Sequence, residues 1–248
     1  MAKVKGIVQF SGTLGEFNFY LRKGQPVVRK AGGGFNGEAI KNAESMVKVR
    51  QNGSEFGQVS RMVKVFKTAL APLLHGVNYP DLHGRLVRLF IAVKNTDTVS
   101  PKGSRTLQKG LATAEGKQLI TGFCVPEYHA KLKLLSGLFY FDAEHLALRL
   151  THDIRIADLL PKQVDGVAVQ VGILTFDETE NACFLTLNEV VYLSREMTAP
   201  PALPILLETR TTLSLVVLSL GFYSEENNGL PPVFLKGNLY LEVVNCGL

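Results

Sequence analysis

The stretch KGIVQFSGTLGEFNFYLRKGQPVVRKAGGG, residues 5–34, decides how the chain begins. Three apolar runs lie there, at Ile7–Phe10, Phe17–Leu21 and Pro26–Val28. Two connections that contain glycine, Ser11–Glu16 and Lys23–Gln25, separate them. Glycine adopts positive φ without steric cost, so connections of this kind are typical of tight β-turns. The sequence therefore predicts an antiparallel β-meander at the N-terminus.

Amphipathic helices follow the meander. Residues 35–53 are predicted to form a connector that contains a short helix over Glu38–Ser45. Asn52-Gly53 marks the end of this connector. Ser54 is a candidate N-cap, because its hydroxyl can accept a bond from a free amide of the first helical turn. An apolar stripe at steps of three and four residues then predicts a helix over Ser54–Leu74. Its members are Phe56, Val59, Val63, Phe66, Leu70 and Leu73.

Two more helices are predicted before residue 123. Pro80 at a first helical position opens one over Pro80–Lys94, with Arg85 and Arg88 facing away from its apolar stripe. Residues 75–79 join it to the preceding helix as an αα-hairpin. Ser104 is a candidate cap for a third helix over Arg105–Ile120, which Gly110 and Gly116 weaken.

The chain after Phe123 is rich in short apolar runs separated by turn signals, which indicates an antiparallel β-sandwich or a related barrel. The predicted strands are Leu132–Leu135, Leu138–Phe141, His145–Leu150, Val167–Phe176, Cys183–Leu193, Thr211–Phe222 and Val233–Val244. The fold class predicted is α+β: a β-meander, a central helical hairpin and a sandwich-like C-terminal half. We expect a basic part at 1–122 and an acidic all-β part at 123–248, with the option of one shared core.

Charge is distributed unevenly along the chain. Residues 1–133 carry 21 Lys and Arg against 8 Asp and Glu, whereas residues 134–248 carry 6 against 14. A basic region suits nucleic acid, a membrane surface or an acidic protein face. The candidate basic contact face lies on the first two long helices and comprises Arg61, Lys64, Lys67, Arg85 and Arg88.

Catalytic and metal-binding motifs are incomplete. The Gly12–Gly15 segment resembles a phosphate loop but continues into a strand, and Gly110–Gln118 misses the Walker A spacing. His145 and His152 lie seven residues apart, which places them on opposite faces of a strand. Cys124 has His129 nearby but no third group to orient it. We therefore expect no enzymatic activity, no metal and no cofactor.

Cellular context follows from cysteines and apolar segments. Three widely spaced cysteines argue for free thiols in a reducing compartment. The most apolar segment, Leu213–Phe222, is about half the ~20 residues of a membrane-spanning helix. The N-terminus shows no secretory pattern. We expect a cytoplasmic protein without a membrane span.

The pattern KGxxxFxGxxGxxxFY at Lys5–Tyr20 is followed by Val28, Lys30, Gly32 and Gly33, and then by NGSEFG at Asn52–Gly57. Over about the first 75 residues, the chain resembles an uncharacterised family of small bacterial proteins with this glycine signature and a β-rich C-terminus. That resemblance implies no activity.

Two functions remain open at this point. The favoured one is a structural subunit that self-assembles with copies of itself into a filament, tube or particle. It rests on the opposite charge of the two halves, on strand-forming sequence at both ends and on incomplete catalytic motifs. The alternative is a protein that binds or packages nucleic acid through its basic N-terminal half.

Overall fold

A computed structural model shows how the predicted elements are arranged. The structure describes residues 2–3, 11–31, 37–74, 79–127, 129–142, 144–151, 155–177, 182–197, 202–204, 214–224 and 233–247. The chain divides into two compact units, Met1–Arg50 and Gln51–Leu248. The α+β class is confirmed, with an N-terminal meander, a helical region and an antiparallel C-terminal sheet.

The first unit is built on a four-stranded antiparallel sheet of order β1-β4-β3-β2. Its strands are β1 (Ala2–Lys3), β2 (Gly12–Leu14), β3 (Phe17–Arg22) and β4 (Gln25–Lys30). Lys23 and Gly24 both have positive φ, 51° and 74°, as the two-residue hairpin turn between β3 and β4 requires. The predicted turn over Ser11–Glu16 is wrong in part, because Gly12–Leu14 forms a strand. The predicted run Ile7–Phe10 lies outside the described residues.

Helices α1 (Gly37–Asn42) and α2 (Val47–Leu70) follow, separated by a 3₁₀ turn at Glu44–Met46. The prediction that Ser54 caps a helix is wrong, since α2 begins seven residues earlier and passes straight through Asn52-Gly53. The Arg50 guanidinium donates to the carbonyl oxygens of Ile40 and Ala43, at 2.7 and 2.9 Å, and so ties α2 to the end of α1.

The second unit continues with α3 (Leu82–Asn95), α4 (Leu107–Leu111) and α5 (Ala114–Ile120). The single helix predicted over Arg105–Ile120 is wrong. Thr106 caps α4 and Thr113 caps α5, so the chain restarts its helix at each threonine. A Cβ on Gly110 would lie 2.1 Å from the Val93 carbonyl oxygen, so this glycine permits close packing of α4 on α3. Residues 75–78 of the predicted hairpin connection lie outside the described residues.

A six-stranded antiparallel sheet forms the centre of the second unit. Strand β8 (Gly166–Asp177) pairs along one edge with β12 (Ser214–Ser224) and along the other with β9 (Ala182–Leu187) and β10 (Val191–Ser194). Strand β12 pairs with β13 (Val233–Cys246), which pairs with β5 (Cys124–Val125). The run predicted at Cys183–Leu193 is thus two strands rather than one.

Both faces of this sheet are covered. Leu174, Phe176, Leu215 and Val217 join a core with α2, α3, α4 and α5. The alternate residues of the same strands, such as Val169, join a second core with the remaining elements. Residues from both sides of position 123 therefore pack in the same cluster.

The remaining elements carry the second core. Strands β6 (Phe139–Asp142), β7 (Ala147–Leu150) and β11 (Leu203–Pro204) form a three-stranded antiparallel sheet. Helices α6 (Ala130–Ser136) and α7 (Ile156–Leu159) supply further buried residues. The strand predicted over Leu132–Leu135 is therefore wrong. Leu132, Leu135 and Ser136 are buried while Leu134 is 58% exposed, which is the spacing of a helix face.

Candidate binding surfaces

The residues of the predicted basic face differ in exposure. On α2, Arg61 and Lys64 are exposed and Lys67 is half-buried. On α3, Arg88 is exposed, whereas Arg85 is half-buried. Three of the five side chains are thus exposed, and two are half-buried.

Arg85 is engaged inside the second unit and does not face away as expected. Its guanidinium donates to the Cys124 carbonyl oxygen at 2.6 Å and forms an ion pair with Glu127 at 2.8 Å. It also lies 5.0 Å from the centroid of the Phe123 ring. Arg85 therefore fastens α3 to β5, and its charge is already matched.

A buried carboxylate organises the region between α2, α3 and the loop before α4. The Glu55 side chain is 3% exposed and forms an ion pair with Lys94, which is 7% exposed. Arg105 donates to both Glu55 oxygens, Nε to Oε1 at 2.9 Å and Nη2 to Oε2 at 2.8 Å. The Gly103 amide adds a fourth bond at 2.7 Å. Glu55 therefore holds α3 and the 96–106 loop against α2.

The protonation state of Glu55 is set by these partners. Hydrogen bonds from Arg105, supported by Lys94 and the Gly103 amide, hold the pKa of Glu55 well below its usual range, although burial alone would raise it. The same contact raises the pKa of Arg105. The Glu55 carboxylate and the Arg105 guanidinium are therefore both charged at neutral pH.

A second buried carboxylate fixes the loop itself. Asp97 is 3% exposed and accepts hydrogen bonds from the amides of Val99, Ser100 and Thr106, at 3.0, 2.9 and 3.1 Å. Burial raises the pKa of Asp97, but these amide donors outweigh it and lower the value overall. The loop from α3 to α4 is thus rigidly built around one ionised side chain.

A basic cleft of about 350 Å³ opens beside this network. Its polar lining comes from α2, α3, α4 and the residues just before α4: Gln58, Arg61, Lys94, Arg105, Thr106, Gln108 and Lys109. None of the described residues that line it is acidic. The Lys109 ammonium donates a hydrogen bond to the Ser100 hydroxyl at 2.8 Å. Arg61 forms no salt bridge with any described residue.

The N-terminal sheet presents a different kind of surface. Leu14 lies opposite Phe17 across the β2–β3 pair, and Leu21 lies two pleats further along the same face. These three side chains are 67%, 52% and 60% exposed. We call them, with their half-buried neighbours Phe19 and Val28, the apolar sheet face. The opposite face carries Tyr20 with Arg29 stacked on it at 5.6 Å.

The cysteine and histidine candidates do not converge on a reactive site. Cys124 is buried on β5, while His129 caps α6 and packs against Phe222 at 5.9 Å. Burial raises the pKa of Cys183 to about 12 and that of Cys246 to about 11, so both thiols stay protonated at neutral pH. The described residues contain no group of three or more side chains arranged to hold a metal ion.

His145 has a structural partner. It sits in the turn before β7, where its Nδ1 lies 2.8 Å from Asp142 Oδ2, and Arg149 Nε donates to the same oxygen at 2.7 Å. Arg149, aided by His145, lowers the pKa of Asp142 to about 2. His152, its proposed companion, lies outside the described residues.

One partly buried polar cluster was not predicted from the sequence. Glu242 Oε2 accepts hydrogen bonds from the Ser136 and Tyr240 hydroxyls, at 2.5 and 2.8 Å, and so joins α6 to β13. Burial and the neighbouring Cys124 and Glu242 raise the pKa of Tyr240, so its hydroxyl stays protonated and donates. The cluster therefore fastens α6 to the main sheet.

Glu55, Lys94 and Arg105 were missed as well. The signal was present, because Glu55 lies four residues before Val59 and so on the buried stripe of α2. A charged residue at such a position predicts a buried partner, since an isolated buried charge is too costly.

Comparison with known proteins gives no relative from which a function can be transferred. Searches of protein-family models, of curated proteins and of solved structures found no match. No helix in the described parts of the chain has both the length and the apolar composition needed to cross a membrane.

Proposed function

We propose that this protein is a non-enzymatic structural subunit that assembles with copies of itself into a filament, tube or particle, through the apolar sheet face of its N-terminal unit. The observation that supports this most directly is the exposure of Leu14, Phe17 and Leu21 side by side on one face. Single exposed apolar residues are ordinary, but a contiguous group marks an interaction surface.

The N-terminal unit has little core of its own. Among the described residues of Met1–Arg50, Val27 is the single buried hydrophobic side chain. A small sheet needs a covered hydrophobic face for stability in water. An assembly contact would provide that cover.

The occupant we propose is a second copy of this chain. Strand β2 is an edge of its sheet in the described residues, its three residues are exposed, and an unpaired edge is a template for a further strand. Residues 1–50 carry 9 Lys and Arg against 3 Asp and Glu, whereas residues 134–248 are acidic. The acidic region of one copy can therefore attract the basic N-terminal unit of another copy. This charge complementarity favours association in a defined orientation.

The test compares two substitutions in the same strand. Leu14→Asp places a charge on the apolar sheet face, whereas Thr13→Asp places the same charge on the opposite face of β2. Light scattering after size-exclusion chromatography should give the wild type a mass that is a multiple of 27.2 kDa. We expect Leu14→Asp to reduce it to the monomer and Thr13→Asp to leave it unchanged.

Salt provides a second readout. Assembly should survive moderate salt, because exposed ion pairs contribute about 0–1 kcal/mol each and apolar contacts persist. A wild-type protein that stays monomeric at every concentration and salt level would contradict the proposal. So would equal loss of assembly in both variants.

A further inference from the structure

We propose that the basic cleft between α2, α3 and α4 binds phosphate groups of an anionic ligand. This inference concerns only the Gln51–Leu248 unit and is independent of the assembly proposed above. A cleft of about 350 Å³ lies in the size range of small-ligand sites. Its lining combines four cationic side chains with two amides and, among its described residues, no carboxylate.

Two of the four cations are already matched and serve to shape the site. Lys94 and Arg105 are held by Glu55, and Asp97 lies close enough to Arg105 to stabilise its charge. The two carboxylates are buried behind the cleft wall. Together these four groups sum to zero charge, so they contribute rigidity and directed dipoles rather than net attraction.

Arg61 and Lys109 provide the net charge. They come from different helices, α2 and α4, and both are exposed at the cleft. Since none of the described residues that line the cleft is acidic, an entering anion would meet a charge of +2 from these two side chains. A guanidinium binds phosphate oxygens in a bidentate way and an ammonium binds them as a compact charge. Gln58 and Gln108 add neutral donors.

Phosphate groups of this kind come from two sources, a nucleic-acid backbone or a free polyphosphate. Inorganic tripolyphosphate and a single-stranded oligonucleotide are therefore the two probes. For the oligonucleotide, two phosphate contacts at a slope of about −0.7 each predict a roughly sevenfold loss of affinity when salt rises fourfold.

The experiment measures dissociation constants by calorimetry for three forms of the full chain. The double variant Arg61→Gln, Lys109→Gln removes the unmatched cleft charges. The control Lys131→Gln, Lys162→Gln removes two exposed charges elsewhere, on α6 and just after α7. We expect the cleft variant to bind at least tenfold more weakly and the control to stay within twofold of the wild type.

The outcomes separate clearly. Tripolyphosphate binding alone identifies a free phosphate ligand, whereas oligonucleotide binding that tripolyphosphate displaces identifies a nucleic-acid backbone. Failure of the wild type to bind either probe at millimolar concentration would overturn the proposal. Equal weakening in both variants would also overturn it, because binding would then reflect overall charge. Neither result depends on the oligomeric mass that tests assembly.

Discussion

The two main antiparallel sheets of this protein differ in what covers them. The sheet of the C-terminal unit has both faces packed, one against α2, α3, α4 and α5 and the other against the small sheet, α6 and α7. The N-terminal sheet exposes Leu14, Phe17 and Leu21 on one face. Similar strand-forming residues thus supply a core in one unit and a surface in the other.

This difference shows that strand pairing and sheet stability are separate matters. Hairpin pairing in the N-terminal unit follows from local turns such as Lys23-Gly24. Stability comes mainly from burying a face, at roughly 25 cal/mol for each Å² of apolar surface removed from water. A sheet whose strands pair well but whose faces bury little apolar surface is therefore suited to gain stability by packing against a partner.

The largest expected effect contrasts two phenylalanines. Phe66 is fully buried, with its ring 5.3 Å from that of Phe90 and 6.2 Å from that of Phe176. Phe66→Ala should lower the free energy of unfolding by on the order of 3–5 kcal/mol, through lost burial and the cavity left behind. Urea titration of the unfolding transition measures this.

Phe17→Ala is the matched substitution on the N-terminal sheet. Its side chain is 52% exposed, so under monomeric conditions we expect a change within about 0.5 kcal/mol. Assembly, in contrast, should weaken. An equal loss of unfolding free energy in both variants would remove the distinction between the two sheets.

Glu55→Gln should lower the free energy of unfolding by less than Phe66→Ala does. Breaking a buried pair leaves an unmatched charge, here Lys94, and typically costs about 3–5 kcal/mol. Arg105 is 22% exposed and its charge is partly solvated, so we expect about 2–3 kcal/mol. Glu189→Gln, at an exposed position of the same unit, is the control and should change stability little.

The same variant makes a prediction about pH. Glu55 has a depressed pKa in the folded state, whereas an unfolded glutamate titrates near 4.3. Its stabilising contribution is therefore complete above about pH 5 and is lost as the pH falls toward the folded value. Glu55→Gln should flatten the fall in unfolding free energy below pH 5. An unchanged slope would show that Asp97, Asp142 or other carboxylates account for acid sensitivity.

The sequence sufficed where a pattern ran over many residues. The stripe of α2 gave Phe66 as a core residue, which its 0% exposure confirms. The repeated apolar runs after Phe123 correctly predicted an antiparallel sheet in the C-terminal half. Both patterns repeat often enough that a local exception, such as the exposed Phe56, does not hide them.

Short segments failed for identifiable reasons. Four apolar or basic residues at Leu132–Leu135 fit a strand or a helix equally well, and the choice depends on which faces meet the core. The break between α4 and α5 falls at Thr113, which caps α5 and whose hydroxyl also donates to that of Thr96, a contact that the local pattern does not show. The cleft joins residues 58–62 to residues 94 and 105–109, and no single stretch of sequence shows that proximity.

The smallest expected effect concerns the connection between the two units. Asn52-Gly53 reads as a turn in the sequence, whereas in the structure it lies inside α2, which crosses the boundary at Arg50–Gln51. A Cβ added at Gly53 would meet nothing within 4 Å, and the glycine does not need positive φ. Alanine loses less backbone freedom on folding than glycine does, by about 0.5–1 kcal/mol in a helix interior.

Gly53→Ala should therefore raise the free energy of unfolding by about 0.5–1 kcal/mol. Gly103→Ala is the opposite control, since Gly103 has φ of 100° and a Cβ there would lie 2.8 Å from Gln51 Cγ. That substitution should destabilise the protein, because φ in this region is strained for alanine. A loss of stability in Gly53→Ala would contradict the helical conformation of α2 at this position.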